Sequence, residues 1–423
     1  MIKRERYVQK LAGYAWNGKV KVITGLRRSG KSTLLFVLYR GRLEADGVSP
    51  KNIIEIKLDK LEDFKYRDPF VLLDFINQRT KGSAEKFYVF IDELQFCKQV
   101  NYPGTSDKVT IYDLLNELRD RNNLDVYVTG SNSKFLSSDI ATEFRGRASQ
   151  IRVSSLSFAE YHNYAGGSKR DNLNEYMLFG GLPEVPFLSG REQKTEYLTA
   201  LFNEVYVRDI VERYKIERTE ILAELLNLLS SSTGSLTNAS SIANTLCSTQ
   251  KTALKSSTIS TYIDHIKEAF IVSEAKRFDI KGKRYFSYPS KFYFTDLGLR
   301  NARINYRQFD KGHLMENLIY NELISRGCSV DVGVVAERSG GMTRQREIDF
   351  VVNLGDKRIY VQSAYEMKSE EKAQAELASF KLTGDFFRKV VIEMEIPSSY
   401  MDNEGILHCS LFEFLLDENS LKA

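Results

Sequence analysis

Residues 20–35 read VKVITGLRRSGKSTLL. The run from Val20 to Thr24 is short, apolar and rich in β-branched side chains, the pattern of a buried strand. A loop with glycines at positions 25 and 30 follows, and then a stretch of helical composition, TLLFVLYRGRL. Within it GLRRSGKS fits the spacing G-x-x-x-x-G-K-[ST], and the strand–loop–helix setting is the one this spacing needs to act as a phosphate-binding loop. The alternative reading is a solvated basic turn. The physical argument favours phosphate. Gly25 and Gly30 let the backbone curl so that its N–H groups face phosphate oxygens. The start of the next helix adds its positive end. Lys31 is expected at the β- and γ-phosphates of ATP, and the Ser32 hydroxyl at Mg²⁺. Arg28, Ser29 and Thr33 complete the expected nucleotide contacts.

A loop of this kind needs a carboxylate on the metal side. FYVFIDELQ (87–95) is an apolar strand that ends in Asp92 and Glu93. Asp92 is expected in the Mg²⁺ shell, and Glu93 as the general base that polarises the attacking water. DVYVTGSNS (125–133) reads as a further strand ending in small polar residues, where Ser131 or Asn132 could orient the same water; a plain turn is the competing reading. NIIEIKLD (52–59) supplies another strand between the two nucleotide motifs. An inserted strand plus an acidic base points to the branch of P-loop ATPases that hydrolyse ATP with their own glutamate. RGR at 145–147 follows an acidic helix and precedes a strand. Arg145 and Arg147 read equally well as surface charge.

Bulk properties set limits. A chain of 423 residues is too long for one core and predicts two or three domains. Hydrophobic content of 42% and charged content of 27% are those of an ordinary globular protein. A net charge of +4 permits nucleic acid but leaves the attraction to a local basic surface. Cys97, Cys247, Cys328 and Cys409 are far apart, as are His162, His265, His313 and His408, so no zinc site is legible. Widely spaced thiols suit a reducing, cytoplasmic location. The opening MIKRERYVQK has no signal-peptide core, and no run approaches the ~20 apolar residues of a membrane span.

Taken in order, ITGLRRSGKSTLL, YVFIDELQ, TGSNSKFLSSDIATEFRGRA, LSFAEY, FGGLPEV and RDIVERYKI resemble the prokaryotic AAA+-like ATPase family with an AAA_14 N-terminal domain and a DUF4143 C-terminal region. The resemblance runs from residue 20 to beyond residue 215. It implies that Arg145 and Arg147 act as arginine fingers on a neighbouring subunit's γ-phosphate. That in turn implies a homo-oligomer, a ring, expected as a hexamer. It also implies a mobile helical lid over residues 159–215, after an ATPase core over 1–158. In RDIVERYKI the charges of Arg208 and Asp209 read as helix-stabilising pairs.

Residues 216–305 read as three helices, with Asn238 or Ser240 capping the second, and then two strand-like runs about the basic turn KGKR. That order predicts a winged-helix domain. Its DNA contacts are expected from Lys251 and Lys255 before the third helix, and from Lys281, Lys283 and Arg284 on the wing. Service as a protein contact is the rival use of such a domain. Residues 306–423 read as helix, three strands and helix, similar to the nuclease-type fold with a D…(D/E)-x-K signature. The resemblance places Asp349 at the first metal carboxylate and Glu316 at another. Gln362-Ser363-Ala364 stands where Glu-x-Lys belongs, and the nearest following base is Lys368. The whole chain is therefore expected to be α/β: a P-loop core with helical lid, a winged helix and a nuclease-like domain. The expected activity is that of an ATP-driven motor on duplex or branched DNA, with no membrane partner. A nucleotide-dependent signalling or defence switch and an ATP-regulated nuclease are the alternatives.

Overall fold

The computed structural model describes residues 1–130, 146–250, 254–339, 342–367 and 370–421. The chain forms two compact units. The first is Met1–Ser154 with Glu268–Phe270; the second is Ser155–Lys267 with Ile271–Ala423.

The first unit is built on a parallel five-stranded sheet. Its strands are β1 (Val20–Thr24), β2 (Ile53–Lys57), β3 (Phe87–Asp92), β4 (Leu124–Thr129) and β5 (Ala148–Arg152), in the order β2-β3-β4-β1-β5. Both faces are covered, which is why the strands read as continuous apolar runs rather than alternating ones. Val20, Val22, Val89, Ile91, Val126 and Val128 meet the helices Pro69–Thr80 and Ile111–Arg119 on one face. Ile23, Tyr88, Phe90, Tyr127 and Ile151 meet the helix Glu5–Gly13 and the helical run 31–45 on the other. The expected strand between the two nucleotide motifs is present as β2. The strand inserted between β1 and β3 in the sheet is β4; β2, which lies between them in the sequence, is at the sheet edge. Sequence order does not reveal spatial order in a sheet with crossover connections.

The second unit contains the expected lid, three-helix and C-terminal segments together. The LSFAEY motif opens its first helix, Phe158–Ala165, with a capping box: Glu160 N–H donates to Ser157 Oγ at 3.2 Å, and the Ser157 N–H donates to Glu160 Oε2 at 2.9 Å. FGGLPEV is clasped by a later segment. Gly181 N–H donates to Asp296 Oδ2 at 2.9 Å, and Asn301 Nδ2 donates to the carbonyls of Met177 and Leu178, both at 2.9 Å. A Cβ on Gly180 would lie 2.1 Å from Asp296 Oδ1, and Gly180 has φ +73°. The helix Arg208–Tyr214 carries the pairs Arg208–Glu212 at 2.6 Å and Asp209–Arg213 at 2.5 Å.

Helices Thr219–Ser231, Ala239–Gln250 and Ser256–Glu268 then appear with a three-stranded antiparallel sheet of Leu236–Thr237, Ser290–Phe294 and Val272–Ala275. Asn238 caps the second helix, accepting from Ser241 N–H at 2.7 Å. The basic turn departs from expectation. Its flanks, Arg277–Asp279 and Arg284–Tyr285, do not extend the small sheet. They form the edge of a separate eight-stranded sheet, where Arg277–Asp279 pairs in parallel with the strand Ser329–Ser339. An edge strand offers unpaired backbone groups, and this excursion of the chain satisfies them. The rest of that sheet comprises Met342–Leu354, Lys357–Ala364, Arg388–Glu393, Leu407–Ser410 and Tyr400–Met401 in spatial order, with helices Lys311–Ser325 and Glu370–Lys381.

Candidate functional site

The motifs of the first unit meet at the carboxyl ends of β1, β3 and β4, the place where open parallel sheets bind ligands. Gly25 has φ +137°, and a Cβ there would lie 2.1 Å from the carbonyl oxygen of Val153. A side chain is thus excluded by the chain just beyond β5 as well as by any approaching phosphate. Gly30 (φ +89°) turns the loop into the helical run. Lys31 is buried and donates to the carbonyls of Gly25 at 3.1 Å and Leu26 at 2.9 Å. Burial lowers its pKa to about 8, against the opposing pull of Glu93 and Asp92. Ser32 Oγ donates to Asp92 Oδ1 at 3.1 Å, so a hydroxyl and a carboxylate converge as expected. These are hard oxygen donors of the kind Mg²⁺ takes. Ser29 is buried, and among the described residues its Oγ has no hydrogen-bond partner. A buried hydroxyl without a partner beside Lys31 fits a phosphate oxygen as its acceptor. Arg28, at φ +62°, is exposed on the loop, and Thr33 is exposed in the first turn of the helical run.

Glu93 also sits in the left-handed region, at φ +52°, an uncommon conformation for a residue with a Cβ. Gln95 Nε2 donates to its carboxylate. Burial raises the Glu93 pKa, against the Gln95 bond and the charge of Lys31. Thr129, which the sequence reading passed over, ties the site together. Its hydroxyl donates to Asp92 Oδ1 and accepts from Glu93 N–H at 3.1 Å. Its signal was its place as the last residue of a strand that the polar GSNS follows. Ser131, Asn132 and Arg145 lie outside the described residues. Arg147 is exposed at the opposite end of the sheet, donating to Asn116 Oδ1 at 3.4 Å just before Ala148 pairs with Val20.

The remaining predicted residues fall in the second unit. Lys281, Lys283 and Arg284 are exposed on the hairpin at the edge of the large sheet, where Arg284 Nε lies 3.6 Å from Asp279 Oδ2. Lys255 is exposed before the helix Ser256–Glu268; Lys251 and Lys368 lie outside the described residues. Glu316, on the helix Lys311–Ser325, and Asp349, on the strand Met342–Leu354, do approach each other. They border a cleft of about 400 Å³ with Gln362, Ala364 and Glu376. Between them, however, stands the ammonium of Lys291, 2.8 Å from Glu316 Oε1, 2.7 Å from Glu347 Oε1 and 3.6 Å from Asp349 Oδ1. Tyr293 OH donates to the same Glu316 oxygen at 2.5 Å. Burial, with Asp349 nearby, pushes the Glu316 carboxyl up to about 7. Burial works against the charge on Lys291, but Glu316, Asp349 and Glu347 outweigh it and hold its pKa above the usual range. Gln362 Nε2 turns to Glu376 Oε2 at 3.2 Å, and Asp349 Oδ2 accepts from Ser363 N–H at 2.9 Å. The divalent metal of the nuclease resemblance does not fit carboxylates that already share a buried ammonium.

Fold and site together define the first unit as a P-loop domain of the AAA type, and residues 17–162 match AAA_14, an AAA domain. Residues 170–310 match DUF8612, a domain of unknown function, where the resemblance had pointed to DUF4143. An uncharacterised protein of Haemophilus influenzae is 32% identical over 397 residues, covering 93% of each chain. The chain belongs to the same family as that protein, and its first unit is P-loop AAA+-like. An uncharacterised Methanocaldococcus jannaschii protein is 26% identical over 370 residues, 84% of this chain and 76% of its own. Among solved structures, the Aeropyrum pernix ORC1 protein in complex with DNA aligns over 72% of this chain and 93% of that one, at 14% identity and a TM-score of 0.30. Cdc6p of Pyrobaculum aerophilum aligns over 74% and 94%, at 14% identity and a TM-score of 0.28. Likenesses this slight carry no argument. Among the described residues no helix is long and apolar enough to cross a membrane.

Proposed function

We propose that the chain is a cytoplasmic ATPase that works as a ring, a hexamer, on duplex or branched DNA. The observation that carries the reading is the convergence of Lys31, Ser32, Asp92, Glu93 and Thr129 at one end of the sheet. Ser32 and Asp92 would hold Mg²⁺, which when bound offsets phosphate charge. Lys31 exchanges its two carbonyl partners for phosphate oxygens. Glu93 accepts the proton of the attacking water at its carboxylate once Gln95 releases it, and its raised pKa suits a base.

Arg147 supports the ring. It precedes β5 at the end of the sheet where Val20 begins β1, whereas the phosphate loop leaves β1 at Thr24. At about 3.3 Å per residue, roughly 15 Å of strand lie between. An arginine so placed serves another subunit's site better than its own. DNA binding is supported by the order helix, strand, helix, helix, strand, strand that the three helices and the small sheet make over residues 219–294, with the strands Arg277–Asp279 and Arg284–Tyr285 diverted to the large sheet between the last two; that order is the one a winged helix has, and the diverted strands carry an exposed basic hairpin. The test is the ATPase rate alone and with duplex, single-stranded and four-way-junction DNA. Stimulation by DNA that is absent in Glu93→Gln supports the motor. A rate indifferent to every DNA turns the reading toward a nucleotide switch.

A further inference from the structure

Lys291 lies on the strand Ser290–Phe294 of the small sheet, far in sequence from the carboxylates that surround it. Only 5% of its side chain is exposed, and its ammonium touches carboxylates from two separate elements: Glu316 on a helix, Glu347 and Asp349 on a strand. All three oxygens lie within 3.6 Å of the Lys291 ammonium, which occupies the space between them. The neighbouring polar groups are also engaged. Tyr293 OH is bound to Glu316, and Ser363 N–H to the second oxygen of Asp349.

We propose that Lys291 is a built-in cation, standing where these carboxylates would otherwise gather a divalent metal ion. The fold keeps a latent metal site, and one lysine from the small sheet keeps it filled. The lysine does a second job, because its ion pairs fasten the strand that follows the basic hairpin to the helix and sheet of the C-terminal segment. The substituted Gln362 and Ala364 fit this arrangement: with a resident ammonium, a further ligand and a further lysine have no metal or water to act on.

The test is Mn²⁺ binding to the nucleotide-free full chain, followed by electron paramagnetic resonance, with thermal melting alongside. Ser32→Ala and Asp92→Asn are present throughout to silence the phosphate loop. With Lys291 intact, no Mn²⁺ should bind in a way that depends on Asp349. Lys291→Met should gain about one Mn²⁺ per chain, because three hard oxygen donors are freed. It should melt lower than the parent without metal and recover part of the loss with Mn²⁺. Adding Asp349→Asn should abolish both effects. Lys291→Gln with Glu316→Gln removes a negative charge together with the ammonium, and serves if the single variant does not fold. Either variant folding and taking up no Mn²⁺ would overturn the proposal. So would Asp349-dependent Mn²⁺ binding while Lys291 is present.

Discussion

Lys31 bonds to its own loop carbonyls and carries a pKa lowered to about 8 by burial, so its proton is part of ATP binding. Phosphate charge raises the pKa of a bound lysine. Below about pH 8 the free protein already holds the proton, and affinity should be flat. Above it, binding must take a proton up, and affinity should fall by up to ~10-fold per pH unit. Nucleotide titration across pH 6.5–9.5 checks this, with Lys31→Ala expected to bind weakly and without the break. A break that survives in Lys31→Ala would assign the proton elsewhere. Glu93→Gln is predicted to bind ATP and lose roughly 10²-fold or more in turnover, since an amide cannot accept the water's proton. Normal turnover in that variant would remove Glu93 from the chemistry.

Among the elements, the clasp between FGGLPEV and the segment Asp296–Asn301 gives a distinctive motif a physical reason. Gly180→Ala puts a methyl against Asp296 and strains a positive φ, so we expect a loss of about 2 kcal/mol or more in denaturant unfolding. Asp296→Asn keeps the shape but weakens charge-assisted bonds to Gly181 and Leu299, for a loss of about 1–3 kcal/mol. Stability unchanged in both would mean that the glycines are kept for something other than packing. The basic hairpin is held at the edge of the large sheet, which leaves Lys281, Lys283 and Arg284 facing solvent. Neutralising all three should weaken DNA binding alike for every sequence and flatten its salt dependence by up to ~0.9 log units per lost contact. An unaltered salt slope would make the hairpin a structural edge only.

For the whole molecule, the placement of Arg147 predicts activity shared between subunits. Protein carrying Arg145→Ala and Arg147→Ala should bind ATP but turn it over slowly. Mixed with Lys31→Ala protein, it should regain part of the lost rate, because some interfaces then join an intact loop to an intact arginine. Native mass spectrometry establishes that subunits mix. Mixed assemblies no faster than either parent would place the arginines outside the neighbour's site.

The sequence by itself determined the phosphate loop, the Asp92–Glu93 strand end and the order helix, three strands, helix from Lys311 to Lys381. Each is a local pattern: a motif at fixed spacing, an apolar run with polar punctuation, a helical period. Tertiary structure alone decided which strand lies beside β1, that Val153 as well as phosphate forbids a side chain at Gly25, and that Thr129 joins Asp92 to Glu93. It alone moved the basic turn from the small sheet to the edge of the large one. It alone brought Lys291 among Glu316, Glu347 and Asp349. Periodicity tells which face of an element is buried, not which distant residue will meet it. A lysine in an apolar strand, KFYF, gives no sign that three carboxylates from later in the chain will surround its charge.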